Sequence, residues 1–224
     1  VVAVDGGYTA AVAQSLAHTE RYGGINRNTA YNPLTIEGKK TVSYEIVAQL
    51  REHLPAQSAI RTPSPDYVFV PTGDGVIASG VYKGFRDLKI AGTIDRVPTI
   101  VAVQSNGSNA ISRAYDHARA GRPRSMWFSD YHASTVADSI SVDVPAAGYY
   151  AVDLLSRYDG LTVAVTDTEI LEAQRGLASI SGLFAEPAAA AAYAGFRAIA
   201  SSIPGDATVV LLVTGCGLKD IDAA

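Results

Sequence analysis

Short apolar runs alternate along this chain with longer stretches of helical period, the pattern of parallel strands joined by crossover helices. The runs predicted as strands are Val1 to Asp5, Tyr67 to Val70, Ile100 to Val103 and Thr208 to Val213. All but the first are continuously apolar, as strands buried on both faces are. Val42, Ile46, Leu50 and Leu54 recur at every fourth position, which predicts a helix over Thr41 to Leu54 with Thr41 placed to cap it. Thr166 and Glu169 have capping-box spacing and start another helix carrying Ile170, Leu171 and Leu177. Pro187 to Ala200 opens with Pro at a first helical position and continues in Ala, whose small side chain lets a helix lie close to a neighbour. Arg119 to Tyr131 carries Gly, Pro, Trp127 and Phe128 without clear period and reads as a surface loop with aromatic anchors. Pro55 to Pro65 resembles a long helix-to-strand connection. The whole is an α/β pattern.

Composition narrows the function classes. With 224 residues and 48% hydrophobic content the chain fills one large domain, or a domain plus a fragment, and is not disordered. Its 18 basic and 22 acidic residues give a net charge of -4, which argues against a nucleic-acid binder held by phosphate contacts. The single cysteine forms no internal disulfide, so a reducing compartment, by default the cytoplasm, is expected. No apolar run approaches the roughly 20 residues of a membrane-spanning helix. The opening on Val1-Val2-Ala3-Val4-Asp5 reads as a chain entered inside a domain.

Two segments can carry chemistry. Tyr67 to Val70 runs through Pro71-Thr72-Gly73-Asp74-Gly75-Val76-Ile77 into a predicted helix containing Val81, Tyr82 and Phe85. Such a turn suits a phosphate, because glycines let the backbone approach and the free N–H groups at a helix start point at the anion. Taken alone, it more often marks an ordinary strand-to-helix connection. Val209 to Val213 leads into Thr214-Gly215-Cys216-Gly217-Leu218-Lys219-Asp220, a second glycine turn. The two turns meet at the carboxyl ends of the sheet if their strands are neighbours. There Thr214 offers one directed hydrogen bond to a ligand or to its own turn. Cys216 reads as inert packing, and Lys39 and Lys40 as a solvated pair. His18, His53, His117 and His132 are scattered without metal-ligand spacing, so no metal is expected. Asp138, Asp143 and Asp153 read as caps or solvated positions.

Taken together, Asn32 to Thr41, Val70 to Phe85, Phe184 to Ala190 and Val213 to Asp220 resemble threonine synthases, collinearly over nearly the whole chain. That family belongs to the pyridoxal-phosphate enzymes of the tryptophan synthase β-subunit fold. The resemblance implies a three-layer αβα architecture with a mostly parallel sheet, fold type II, N-terminally incomplete. Residues 1–31 would be the remnant of a smaller domain and residues 32–224 the larger cofactor-binding domain. Pyridoxal 5'-phosphate is the implied cofactor. Gly73, Asp74, Gly75, Val76 and Ile77 would cradle its phosphate, Thr214 would hydrogen-bond its pyridine nitrogen, and Glu186 matches an acidic position beside it. A neutral hydroxyl at that nitrogen leaves the ring unprotonated, which suits elimination or replacement at the β- or γ-carbon.

The sequence also departs from the family. Asp74, Val76 and Ile77 stand where its loop commonly reads Gly-Asn-x-Gly-Asn, and Thr35 stands where an Arg pairs with the phosphate of O-phosphohomoserine. None of Lys39, Lys40, Lys83, Lys89 and Lys219 lies in the family's Schiff-base context, so no catalytic lysine is expected in this chain. The implied function is a pyridoxal-phosphate lyase or synthase acting on an amino acid, most like threonine synthase. The alternatives are a threonine, serine or diamino-acid ammonia-lyase, and a non-catalytic ligand-binding fragment. Homodimerisation, or pairing with the missing N-terminal segment, is expected, with no nucleic-acid or membrane partner.

Overall fold

The computed structural model describes residues 2–5, 8–53, 64–129 and 131–223. The apolar runs become a parallel four-stranded sheet of β1 (Tyr67–Pro71), β2 (Thr99–Ser105), β3 (Leu161–Val165) and β4 (Val209–Leu211), ordered β3-β2-β1-β4. Val68 pairs with Ile100 on one side and Val210 on the other, and Val101 with Leu161. Eight helices are described: α1 (Tyr8–Tyr22), α2 (Leu34–Lys39), α3 (Thr41–His53), α4 (Val76–Ile90), α5 (Ala110–Arg119), α6 (Gly148–Arg157), α7 (Asp167–Ser181) and α8 (Pro187–Ile199).

Strand alternation sorts the helices into two outer layers. Val68, Val70, Ile100 and Ala102 face a core built with α3, α4, α5 and α6, into which Tyr82, Phe85, Ile111 and Leu155 are fully buried. Phe69, Val101 and Val103 point the other way, onto Ile170 and Ala173 of α7 and Ala188, Ala191 and Ala192 of α8. This is the expected three-layer αβα architecture. No helix among the described residues is long and apolar enough to cross a membrane.

Local chemistry explains the helix starts. Thr166 accepts from the Glu169 N–H at 3.2 Å while the Glu169 carboxylate accepts from the Thr166 N–H at 2.7 Å, closing the capping box predicted for α7. These hydrogen bonds hold the Glu169 carboxyl below its usual range. Pro187 occupies the first turn of α8, where its missing N–H costs nothing. The alanine face lets α8 press against the sheet, and Gly195 takes this furthest: a Cβ there would stand 2.5 Å from Cγ2 of Val103. Trp127 and Phe128 do anchor the loop after α5, packing on Tyr149.

Several expectations are corrected. Residues 2–5 form no strand and pair with none of the described strands, and Val2 is 85% exposed. β4 is three half-buried residues at the sheet edge, not a long strand covered on both faces. β3, missing from the strands predicted above, follows the turn at Asp159-Gly160 as the other edge. The Asn32 to Thr41 stretch contains α2, and Thr41 does not cap α3; its hydroxyl donates to the Gly38 carbonyl at 3.0 Å. Lys40 is no solvated pair with Lys39, since its ammonium lies 2.7 Å from both Glu37 and Asp87, and the Asp87 hydrogen bond raises its pKa. Leu54 and nearly all of the Pro55 to Pro65 connection lie outside the described residues.

Gly195→Ala forces α8 off the sheet and is expected to destabilise the fold by about 1–3 kcal/mol, the usual cost of overpacking. Denaturant unfolding checks this, and an unchanged midpoint would contradict the close approach.

Candidate functional site

The strand order reverses at β1. From β1 the chain steps through β2 to β3 on one side, then returns through α7 and α8 to lay β4 on the other. Helices before and after the reversal cover opposite faces, so the carboxyl ends of β1 and β4 are left open between them. A cavity of about 470 Å³ occupies that place. All seven residues singled out from the sequence line it: Gly73, Asp74, Gly75, Val76, Ile77, Thr214 and Glu186.

The glycine turn presents backbone donors. Gly75 precedes α4 with a φ of +84°, and a Cβ there would meet Ala151 Cβ at 2.9 Å, so both conformation and space require glycine. No described residue accepts a hydrogen bond from the N–H groups of Gly73, Gly75, Val76 or Ile77. Those donors start a 15-residue helix whose dipole favours an anion at this end. Asp74 turns its carboxylate aside, accepting from the Ala146 N–H at 3.3 Å, while its carbonyl accepts from Ala147 N–H at 3.0 Å. Burial pushes the Asp74 carboxyl up, and the Ala146 N–H only partly offsets this.

Residues with no motif around them hold the turn in place. Gln104, 1% exposed on β2, donates to the Thr72 carbonyl at 3.1 Å and accepts from the Ser112 N–H at 2.8 Å, fixing the end of β1 against the start of α5. Ser108 donates to the Ile140 carbonyl at 2.9 Å and accepts from the Val142 N–H at 3.0 Å, fixing the facing wall. A lone Gln in a strand and a Ser in a turn give no sequence signal, because their partners are distant backbone groups.

Across the cavity, the Thr214 hydroxyl is exposed and has no hydrogen-bond partner among the described residues. Glu186, at the start of α8 and 4% exposed, donates its N–H to the Gly215 carbonyl at 3.0 Å. Its carboxylate lies 3.0 Å from the Lys219 ammonium. Lys39 also lines the cavity, with its ammonium 3.5 Å from the Thr35 carbonyl and in no ion pair with a described carboxylate. The Thr35 hydroxyl is turned away to the Asn32 carbonyl at 2.7 Å. Cys216 is exposed, not packed inside. Asp138 lines the cavity, while Asp143 accepts from the Ala133 N–H and Asp153 pairs with Arg124. Among the described residues no three His, Cys, Asp or Glu side chains gather as a metal site would require.

Comparison with known proteins accords with this arrangement. Residues 1–215 match the family described as pyridoxal-phosphate dependent enzyme. A threonine synthase of Methanocaldococcus jannaschii is 36% identical over 196 residues, which are 86% of this chain and 44% of that protein. A threonine synthase of Synechocystis is 34% identical over 224 residues, all of this chain and 52% of that protein. The chain thus spans about half the length of the curated relatives it matches. In fold it is similar to an L-serine ammonia-lyase from Rhizomucor miehei, with a TM-score of 0.66 at 21% identity over 92% of this chain and 61% of that one.

The raised pKa of Asp74 gives a pH test. A carboxyl whose folded pKa lies above its unfolded value favours the fold at low pH and loses that contribution as pH rises through the folded pKa. Asp74→Asn keeps the acceptor for Ala146 without the charge. It is expected to raise Tm by about 1–3 °C at neutral pH, with the gain vanishing below about pH 4. Thermal unfolding across that range checks the sign.

Proposed function

The chain belongs to the pyridoxal-phosphate dependent enzymes, and on that premise we propose that its cavity holds the cofactor and an amino-acid substrate undergoing elimination or replacement at the β- or γ-carbon. The observation that carries this reading is the set of unclaimed N–H groups at the Gly73 to Ile77 turn, a donor array that fits a phosphate. The free Thr214 hydroxyl supports the second contact, a neutral hydrogen bond to the pyridine nitrogen. When bound, pyridoxal phosphate supplies an electron sink conjugated with the substrate α-carbon. The glycine turn would hold the cofactor's phosphate, Thr214 would offer its hydroxyl to the pyridine nitrogen, and Glu186 would contribute a buried carboxylate to the same cavity. Asp74, held by Ala146, keeps its charge off the phosphate.

Among substrates, threonine-synthase chemistry, from O-phosphohomoserine to threonine, is the first reading. The names of the relatives at 30–36% identity support it, as does Lys39, a cation facing the cavity. The second is an ammonia-lyase acting on a hydroxy or diamino acid. Thr35 favours it, since the hydroxyl standing where a phosphate-binding cation belongs is spent on Asn32. In both readings the lysine that bonds the cofactor is not among the five of this chain. Residues 1–31 are read as the tail of a smaller domain, in keeping with the Asn26 and Asn28 amides that donate back to Ser15 and Thr19 of α1, and residues 32–224 as the cofactor-binding domain.

The assay separates these readings. Phosphate and threonine formed from O-phosphohomoserine support the first; a 2-oxo acid formed from threonine, serine or a diamino acid supports the second. Reversible cofactor binding with no turnover of any of them leaves a ligand-binding fragment. Gly75→Ala, strained at positive φ and crowding Ala151, is expected to weaken pyridoxal phosphate binding about tenfold or more. Fluorescence titration measures it, and unchanged affinity would remove the glycine turn from the site.

A further inference from the structure

Glu186 is the most confined ionisable group in the cavity. Its Oε1 lies against Gly215, where even a Cβ would come within 2.3 Å of it. Its Oε2 faces the Lys219 ammonium at 3.0 Å and the Ser139 hydroxyl at 3.5 Å, and Lys219 itself donates to Ser139 at 2.9 Å. The carboxylate is shut away from water while the Lys219 side chain is 64% exposed, so the cation reaches in from outside. Lys219 is set in place by its own backbone: Gly217 N–H donates to the Phe184 carbonyl at 2.8 Å, and Lys219 N–H to the Cys216 carbonyl at 3.1 Å. The other ionisable groups lining the cavity are Lys39 on α2, Asp74 in the glycine turn and Asp138 beside Ser139.

This arrangement does more than neutralise a charge. A buried carboxylate with one cation and two fixed neighbours has a single direction, whereas one without its cation must find water or a proton. Lys219 also ties together three segments that are far apart in sequence: the start of α8, the wall at Ser139, and the turn that carries Thr214. Resting on the reading of the cavity as a pyridoxal-phosphate site, we propose that Lys219 is a positioning residue. It clamps Glu186 to Ser139 and so fixes where the carboxylate stands relative to the bound pyridoxal ring. One short turn would then govern both polar groups offered to the ring, Thr214 directly and Glu186 through Lys219.

The test titrates pyridoxal phosphate into the full protein and into its K219M, K219R and K219M/E186Q variants, following the cofactor's absorption and fluorescence, with Tm recorded for each. K219M is expected to weaken binding about tenfold or more and to shift the absorption band, because a buried carboxylate is left unpaired. Adding E186Q is expected to recover most of the affinity, since no buried charge then lacks a partner. K219R keeps the pair and the Tm but moves the carboxylate, so it is expected to shift the band; it serves alone should K219M not fold. Parent-like affinity and spectrum in K219M, a K219M loss that E186Q does not relieve, or an unshifted band in K219R each overturn the positioning role while the cofactor reading stands. A parent protein that does not bind pyridoxal phosphate overturns both.

Discussion

The pairing of β1 with β4 is the constraint on which the cavity depends. Three register pairs, Tyr67 with Val209, Val68 with Val210 and Phe69 with Leu211, bring together two strands separated by about two-thirds of the chain. Because both strands point the same way, the segments leaving them emerge at one edge of the sheet, and Gly73 to Ile77 comes to face Thr214. The pairing is short, and its hydrogen bonds extend past the strand, with Leu212 N–H donating to the Phe69 carbonyl at 3.1 Å and Asp66 N–H to the Thr208 carbonyl at 2.8 Å. A register slip of one residue would turn every β4 side chain to the wrong face and carry Thr214 away from the glycine turn.

Close packing supports that geometry from both sides. On one face α8 approaches through alanines and Gly195, so the sheet is covered at the distance of a methyl group. On the other, Ser43 of α3 donates to the Val81 carbonyl of α4 at 2.8 Å, which draws α2 and α3 over the first turns of α4 and leaves Lys39 at the cavity. The polar residues that brace the turns, Gln104 and Ser108, are buried with their bonds made. A buried polar group of this kind fixes one arrangement, because any other leaves it unsatisfied.

What the sequence revealed follows from how local each signal is. The capping box at Thr166 and Glu169, Pro187 at the start of α8, and the glycines at 73 and 75 act through neighbours within four residues, and all were legible. The four apolar strand runs were legible where a partner exists on both sides, as for β1 and β2. They misled at residues 2–5, which pair with no described strand, and the edge strand β3 went unseen because its partly exposed residues carry a weaker apolar signal. The cavity's direct contacts could be named from glycine turns and a resemblance. Lys39, Ser139, Lys219 and Gln104 could not, since the fold alone brings each to its place, as it brings Lys219 to Glu186 and Gln104 to Thr72.

The cavity draws on residues from Thr29 to Lys219, with walls from both ends of the chain and from its middle. Nearly every contact across it therefore closes a loop of dozens of residues, and such contacts form late and slowly. The cavity is closed only when the last of the four strands is laid beside β1, since Thr214 and Lys219 follow it. A ligand seated there recognises only chains that have finished folding, and its binding energy is drawn on by the whole sheet at once. For this fold, a ligand in the cavity therefore adds its binding free energy to the stability of the whole sheet.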